Sequence, residues 1–171
     1  MTAIVEPIVF YVFAACAVLG ALGLITLRNP VHCALSLGVV FISLAVLYVL
    51  LSAPFIAAAQ VMIYAGAILI LFLFVIMVLN PRLEIGQSVL KGQGIAAAIV
   101  GLALSGVLSA ALLNGQLAPA LGQFTPEYIA RIGHTQLIGS LLFTDFLLPF
   151  ELTSLLLLIA IVGVISLAKK M

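Results

Sequence analysis

Residues 55–79 read FIAAAQVMIYAGAILILFLFVIMVL, a run of 25 residues without an aspartate, glutamate, lysine, arginine or histidine. At about 1.5 Å per residue, an α-helix of this length crosses the roughly 30 Å hydrocarbon core of a bilayer. Within the run, QVMIYAGA at positions 60–67 places two hydrogen-bonding side chains and three small residues among aliphatic neighbours. We therefore expect a membrane helix whose polar segment is the place to look for function.

The composition of the whole chain is that of an integral membrane protein. Of the 171 residues, 66% are hydrophobic and 6% are charged, which is more apolar surface than a soluble domain of this size can bury. The net charge of +1 offers no basic surface, so no nucleic-acid partner is expected. Cys16 and Cys33 form no CxxC pair, and neither a disulfide nor a metal site is expected.

Hydropathy divides the chain into five apolar segments, each close to the length that a bilayer requires. They lack the alternation of polar and apolar residues that is typical of membrane barrels. Proline and polar residues separate the first three segments and end the third. The sequence predicts an all-α polytopic protein with one integral membrane domain over residues 1–171. Its five transmembrane helices are expected at about 8–27, 31–51, 55–79, 94–113 and 150–167.

The few basic residues predict the orientation of the chain in the membrane. If the turn after the first helix is cytoplasmic, all but one of the lysines and arginines are cytoplasmic too, and only Arg131 lies outside. The positive-inside rule then places the N-terminus outside and the C-terminus inside. The segment 114–145 becomes the one long loop, on the outer surface. The basic residues on the inner side are Arg28, Arg82, Lys91, Lys169 and Lys170.

Gln60 and Tyr64 are the polar residues of the third helix. They are four residues apart and share one face, which Ala57, Ala67 and Leu71 are expected to continue. They can make ordinary bonds between helices, which contribute only about 0.6 kcal/mol each in membranes. Alternatively, the amide and the hydroxyl, which both donate and accept, organise water along a proton path. Because neither is charged at neutral pH, they can line such a path but not store its proton.

The small residues after Tyr64 indicate a second property of this helix. In Ala65-Gly66-Ala67, glycine and its small neighbours allow an irregular turn or a π-bulge, which is often found at functional sites.

Two carboxylates, Asp145 and Glu151, lie close to the predicted start of the fifth helix. Glu151 follows Pro149, and a carboxylate in the first helical turn is stabilised by the positive end of the helix dipole. An interfacial helix cap is the simpler interpretation of Glu151. A proton or subunit contact at the outer face, shared with Asp145, is the alternative.

Three stretches resemble one known family. The run at 60–77, the RNPVH turn at 28–32 and LFTDFLLPFE at 142–151 are similar to subunit J of the bacterial proton-pumping NADH-quinone oxidoreductase, the counterpart of the mitochondrial sixth ND subunit. The resemblance covers almost the whole chain. It implies a membrane-arm subunit of respiratory complex I, in the bacterial plasma membrane, beside subunits A, H and K and the antiporter-like subunits.

The same resemblance implies roles for the polar segment. In the family the third helix can adopt a π-bulge around positions matching 64–72, and its rotation is thought to open or close a water path between quinone chemistry and the antiporter-like subunits. Tyr64 and Gly66 are then the leading gating residues, and Gln60 and Ala67 line the path. Some members have glutamate where this chain has Gln60, so hydrogen bonding rather than proton transfer is expected at this position.

The resemblance also implies what this chain lacks. NADH, FMN, iron-sulfur clusters and quinone are expected on other subunits, so this chain is expected to be a non-catalytic subunit that binds no cofactor and no metal. Two alternatives stay open: a structural scaffold without gating, and the equivalent subunit of a related antiporter- or hydrogenase-linked complex. Substitutions at Tyr64 and Gly66 in an assembled complex distinguish gating from scaffolding.

Overall fold

The structure is a computed structural model that describes residues 2–79, 93–115 and 124–169. All regular elements in these ranges are helices. Along the chain they are α1 (Thr2–Thr26), α2 (Pro30–Leu50), α3 (Pro54–Ala59), a π-helix that we call π1 (Gln60–Ile68), α4 (Leu69–Leu79), α5 (Gln93–Asn114), α6 (Pro126–Ile132), α7 (His134–Phe143) and α8 (Leu147–Ala168).

The five predicted membrane spans are confirmed. They correspond to α1, α2, the continuous rod formed by α3, π1 and α4, α5, and α8, and each is long and apolar enough to cross a membrane. α1 begins earlier than expected, because Pro7 removes one backbone hydrogen bond without ending the helix. The described chain divides into two compact units, one containing α5 and the other containing the remaining helices. The expectation of a single membrane domain stays a prediction.

α2 is the central helix of the larger unit, because it packs against both α1 and the third span. Glycine permits the close approach of α1: a Cβ at Gly20 would lie 2.9 Å from Val40 Cγ2 and 3.0 Å from the Ser36 carbonyl oxygen. At Gly23 a Cβ would lie 2.7 Å from Ser36 Oγ. Small residues at such contacts are typical of membrane helices, whose association depends on close van der Waals packing.

A tight turn joins α2 to α3, as the short link between these segments predicts. The Ser52 N–H donates to the Val49 carbonyl and the Ala53 N–H to the Tyr48 carbonyl, which closes the C-terminus of α2. Ser52 has a φ of 57°, a left-handed conformation that glycine or asparagine usually adopts at this position. Pro54 then begins α3, where its missing N–H costs nothing. The two spans form an antiparallel hairpin.

The segment expected as one long loop contains two short helices. Thr125 caps α6 by accepting a hydrogen bond from the Tyr128 N–H at 3.3 Å, and Gly133, with a φ of 94°, separates α6 from α7. α7 contacts α3, so this part of the segment lies at the same end of the unit as the α2–α3 turn. The predicted topology requires that arrangement, because it places both the link between the second and third spans and the segment 114–145 on the outer side of the membrane. Residues 116–123 of the segment lie outside the described ranges.

The orientation of the chain across the membrane stays a prediction. Three of the basic residues on which it depends, Arg82, Lys91 and Lys170, lie outside the described residues.

Candidate functional site

The third span is not a regular α-helix. The Leu69 N–H donates to the carbonyl of Tyr64, five residues back, whereas the Gln60 N–H still bonds to the carbonyls of Ile56 and Ala57. The intervening residues Gln60–Ile68 are π-helical. The irregular turn expected around Tyr64-Ala65-Gly66-Ala67 is therefore confirmed, although it lies four residues closer to the N-terminus than the range 64–72 implied by the resemblance.

The π-helix changes which residues of the third span face α2. Ala57, Gln60 and Leu69 are its buried residues, with 6%, 7% and 9% of their surfaces exposed. In an uninterrupted α-helix the nine steps from Gln60 to Leu69 turn through about 900°, which is two and a half turns, so Leu69 would lie on the side opposite Gln60. Each i→i−5 bond encloses one residue more than an α-helical bond, and this extra residue brings Leu69 back towards α2.

The expectation that Ala67 and Leu71 continue the face of Gln60 and Tyr64 is therefore wrong. Ala67 is exposed, and Leu71 is 64% exposed. That expectation assumed 3.6 residues per turn throughout, and the π-helix shifts the face by about one residue after Tyr64.

Gly66 occupies a crowded position inside π1. A Cβ at this residue would lie 3.3 Å from the carbonyl oxygen of Val61, five residues earlier, which is tighter than most such contacts. A side chain at position 66 therefore presses on the backbone of the preceding π turn. The Val61 carbonyl must give by a few tenths of an ångström to admit one.

Gln60 and Tyr64 both lie on the side of the third span that meets α2, about one turn apart. The Tyr64 ring contacts Phe41 of α2 edge to face, with ring centroids 5.4 Å apart and planes at 64°, and Tyr64 remains 46% exposed. Among the described residues, neither the Gln60 amide nor the Tyr64 hydroxyl forms a side-chain hydrogen bond. Both groups are therefore available to water or to a neighbouring protein chain.

Sequence reasoning missed three residues at this contact: Gly38, Phe41 and Leu69. A Cβ at Gly38 would lie 2.8 Å from Leu69 Cδ2, so the end of the Leu69 side chain lies in the space that the missing side chain of Gly38 leaves on α2 and would have to shift for any larger residue. The spacing of Ala34 and Gly38, both small and four residues apart on α2, could have indicated this packing face. Leu69 could not be found without knowing that the helix is π-helical before it.

α4 separates from α2 after Leu69. An open apolar groove of about 410 Å³ lies between the two helices at this end. Its lining residues are Val31 and Leu35 of α2 with Ile70, Leu73, Phe74 and Met77 of α4. The contact between Gly38 and Leu69 is therefore the last close one before the helices diverge.

The structure corrects the interpretation of Glu151 as a helix cap. α8 begins at Leu147, so Pro149 lies in its first turn and Glu151 in its second, and the N-cap residue is Phe146. The helix dipole acts mainly within the first turn, so it does not explain a carboxylate at Glu151. Asp145 lies in the turn before α8, and both carboxylates belong to exposed residues. A contact of this pair with a proton or another subunit stays a prediction.

The described ranges contain no cluster of three or more His, Cys, Asp or Glu residues arranged to hold a metal ion.

Comparisons with known proteins point to one family. A family model described as NADH-ubiquinone/plastoquinone oxidoreductase chain 6 matches residues 20–167. The NAD(P)H-quinone oxidoreductase chain 6 of Leptolyngbya boryana is 44% identical over 168 residues, which cover 97% of this chain and 81% of the relative. The subunit 6 of the Paulinella chromatophora organellar chromatophore is 43% identical, over 96% of this chain and 78% of the relative. Chain 6 of Synechocystis sp. is 38% identical, over 97% and 82%.

Proposed function

This chain belongs to the NADH-ubiquinone/plastoquinone oxidoreductase chain 6 family, and from that membership we propose that its third span is a gate in the membrane arm of the complex. The chain is a membrane-arm subunit of NAD(P)H-quinone oxidoreductase. The gate couples quinone reduction to proton translocation by controlling the hydration of a proton path. The observation that carries this proposal is the π-helix at Gln60–Ile68, which begins at Gln60 and has Tyr64 at its middle.

A π-helix inside an α-helical span provides two discrete arrangements of the same residues. When the π-helix converts to an α-helix, the part of the span after it rotates by about 100° relative to the part before it. Such a rotation moves α4 with respect to Gln60 and Tyr64 and changes what these polar side chains face. Two packings separated by a small free energy are what a switch requires.

The third span acts on the proton path without carrying the proton. It contains no ionisable carboxylate, lysine or histidine, and its polar groups are an amide and a phenol. Both can hold water by donating and accepting hydrogen bonds. Tyr64 and Gln60 line the path, and Gly66 permits the turn that moves them.

We assign the redox chemistry to other subunits. NADH, FMN, iron-sulfur clusters and quinone bind elsewhere in the complex, and this chain is non-catalytic. Its neighbours are the subunits A, H and K and the antiporter-like subunits. The exposed apolar residues of α5, of α8 and of α4 beyond Leu69 offer surfaces for them and for lipid. We place the assembly in the bacterial plasma membrane, and cofractionation of this chain with thylakoid rather than plasma membranes would contradict that location.

The experiment that tests gating compares maps of the assembled complex at rest and during turnover. We expect residues 60–69 to be π-helical in one state and α-helical in the other, with different water density around Tyr64. If the backbone of residues 60–69 has the same conformation in both maps, the gating proposal is wrong.

Tyr64→Phe is expected to reduce coupled proton translocation mildly, because it removes one water-binding hydroxyl and keeps the ring contact with Phe41. The measurement is the ratio of protons translocated to quinone reduced in membrane vesicles. Tyr48→Phe on α2 is the matched control, since it removes a phenol outside π1. An equal reduction in both variants would show that the Tyr64 hydroxyl has no specific role.

A structural scaffold is the second candidate, favoured by the extensive packing of α2 against α1 and the third span. A scaffold and a gate both lose activity when assembly fails. They differ in assembled variants, because a scaffold tolerates substitutions at Tyr64 and Gly66 once the complex has formed. The family membership favours a quinone oxidoreductase over an antiporter- or hydrogenase-linked relative.

A further inference from the structure

We propose that Gly38 and Leu69 are positioning residues that set the register of the third span. We call the recess on α2 at Gly38 the Gly38 notch. The notch accepts Leu69 only when residues 60–68 are π-helical. We call this conformation the π register and the conformation with residues 60–68 α-helical the α register. The contact between Gly38 and Leu69 therefore stabilises the π register over the α register. For its functional consequence this inference rests on the gating proposed above.

The Gly38 notch is closely filled. A Cβ at Gly38 would lie 2.8 Å from Leu69 Cδ2, a separation that real side chains do not adopt. Leu69 is only 9% exposed, although α4 as a whole is highly exposed. The Leu69 side chain therefore occupies space that exists because residue 38 has no side chain.

The contact depends on the register of the helix. Ala57 and Gln60 pack on α2 before the π-helix, and Leu69 packs on α2 after it. Suppose that residues 60–68 become α-helical while Gln60 stays in place. The helix after them then turns, and each residue moves to the angular position that its successor held in the π-helical form. Ile68 then replaces Leu69 at the notch.

Ile68 is a poorer occupant than Leu69. Isoleucine branches at Cβ, beside its own backbone, whereas leucine branches one carbon further out. The branch of Ile68 would crowd α2 where the helices approach, and the δ-carbon of Leu69 would leave the notch. In the α register the well-packed contact of Leu69 with the notch is therefore absent. It is replaced by a crowded contact of Ile68 with α2 and an unfilled space where the Leu69 δ-carbon was.

The notch can bias the register because few other contacts hold α4. Beyond Leu69 the open groove separates α2 from α4. A rotation of α4 consequently meets little resistance within this unit except at Leu69.

The test uses the assembled complex with substitutions on both sides of the contact. Gly38→Val fills the notch, Leu69→Ala removes its occupant, and the double variant gives valine the space that leucine vacates. Gly23→Val is the matched control, because it inserts the same side chain into a close contact between α1 and α2 that does not involve the third span. Gly38→Ala adds a single methyl group and replaces Gly38→Val if the latter does not assemble.

The readout is the backbone of residues 60–69 in maps of each resting complex. We expect the majority of Gly38→Val and of Leu69→Ala particles to lose the π-helix there, because Leu69 is excluded from the notch in the first variant and the notch is left unfilled in the second. The double variant is expected to recover the π-helix, and Gly23→Val to keep it. The inference would be overturned if Gly38→Val and Gly38→Ala both retained the π-helix, or if Gly23→Val lost it to the same extent.

Proton translocation by the same preparations separates this inference from the gating proposal. A changed register with unchanged translocation contradicts gating and leaves the positioning role intact. An unchanged register overturns the positioning role and leaves gating to be decided by the resting and turnover maps.

Discussion

Gly66→Val is expected to abolish most coupled proton translocation in a complex that still assembles. The new Cβ would lie 3.3 Å from the Val61 carbonyl oxygen, so the backbone of the π turn must give by a few tenths of an ångström to admit it. Overpacking of this kind costs about 1–3 kcal/mol. A penalty of that size shifts an equilibrium between two conformations by roughly 5- to 150-fold. The α register gains at the expense of the π register, and the span is held in one state.

The measurement is NADH-driven acidification of inverted membrane vesicles, normalised to the amount of assembled complex. Gly163→Val is the matched control, because a Cβ at Gly163 of α8 meets no atom within 4 Å in the described chain. Normal translocation and normal quinone reduction in Gly66→Val membranes would remove Gly66 from the gating mechanism.

Gly20→Val is expected to prevent assembly rather than to alter gating. Its Cβ would meet Val40 Cγ2 at 2.9 Å and the backbone of α2 at 3.0 Å and 3.4 Å. Because backbone atoms cannot turn aside as a side chain does, α1 must move away from α2 along the whole contact. We expect a several-fold loss of assembled complex, because overpacking of this kind destabilises the folded chain by about 1–3 kcal/mol.

Native gel electrophoresis of solubilised membranes, with an antibody against another subunit, measures the assembled fraction. Ala21→Val is the matched control, since Ala21 is an exposed neighbour on the same helix. A full amount of complex in Gly20→Val membranes would contradict the packing of α1 on α2. The two glycine variants therefore test different properties: Gly66 the internal turn of one span, and Gly20 the contact between two.

The sequence predicts the spans well because length and hydropathy determine them almost alone. Pro30 and Pro54, which the sequence places in the breaks one residue before the predicted spans, are the first residues of α2 and α3, and the short link at Ser52 gives a tight hairpin. The helices α6 and α7 were missed, since their short polar segments carry no periodic apolar signal of sufficient length. Thr125 and Gly133 were the available signals, as an N-cap and a helix break.

The site is predictable only in part. Small residues after Tyr64 indicate an irregular turn, but they do not fix where it begins, because that depends on which residues α2 holds. The face containing Ala67 and Leu71 was wrong for the same reason. A helical period is a property of an uninterrupted helix, and Leu69 reaches α2 through the interruption.

The π-helix also has a consequence for how the length of this segment can vary in evolution. Since π1 contains one residue more than an α-helix joining the same two contacts, a one-residue deletion between Tyr64 and Ile68 would leave Gln60 and Leu69 both packed on α2. A deletion elsewhere in the span would instead turn every later residue away from its neighbour. The packing on α2 therefore tolerates a one-residue deletion here better than in the rest of the span. A homologue that is shorter by one residue at this point would keep the hairpin of α2 with the third span. Its third span would be α-helical throughout and could not switch between a π-helical and an α-helical conformation.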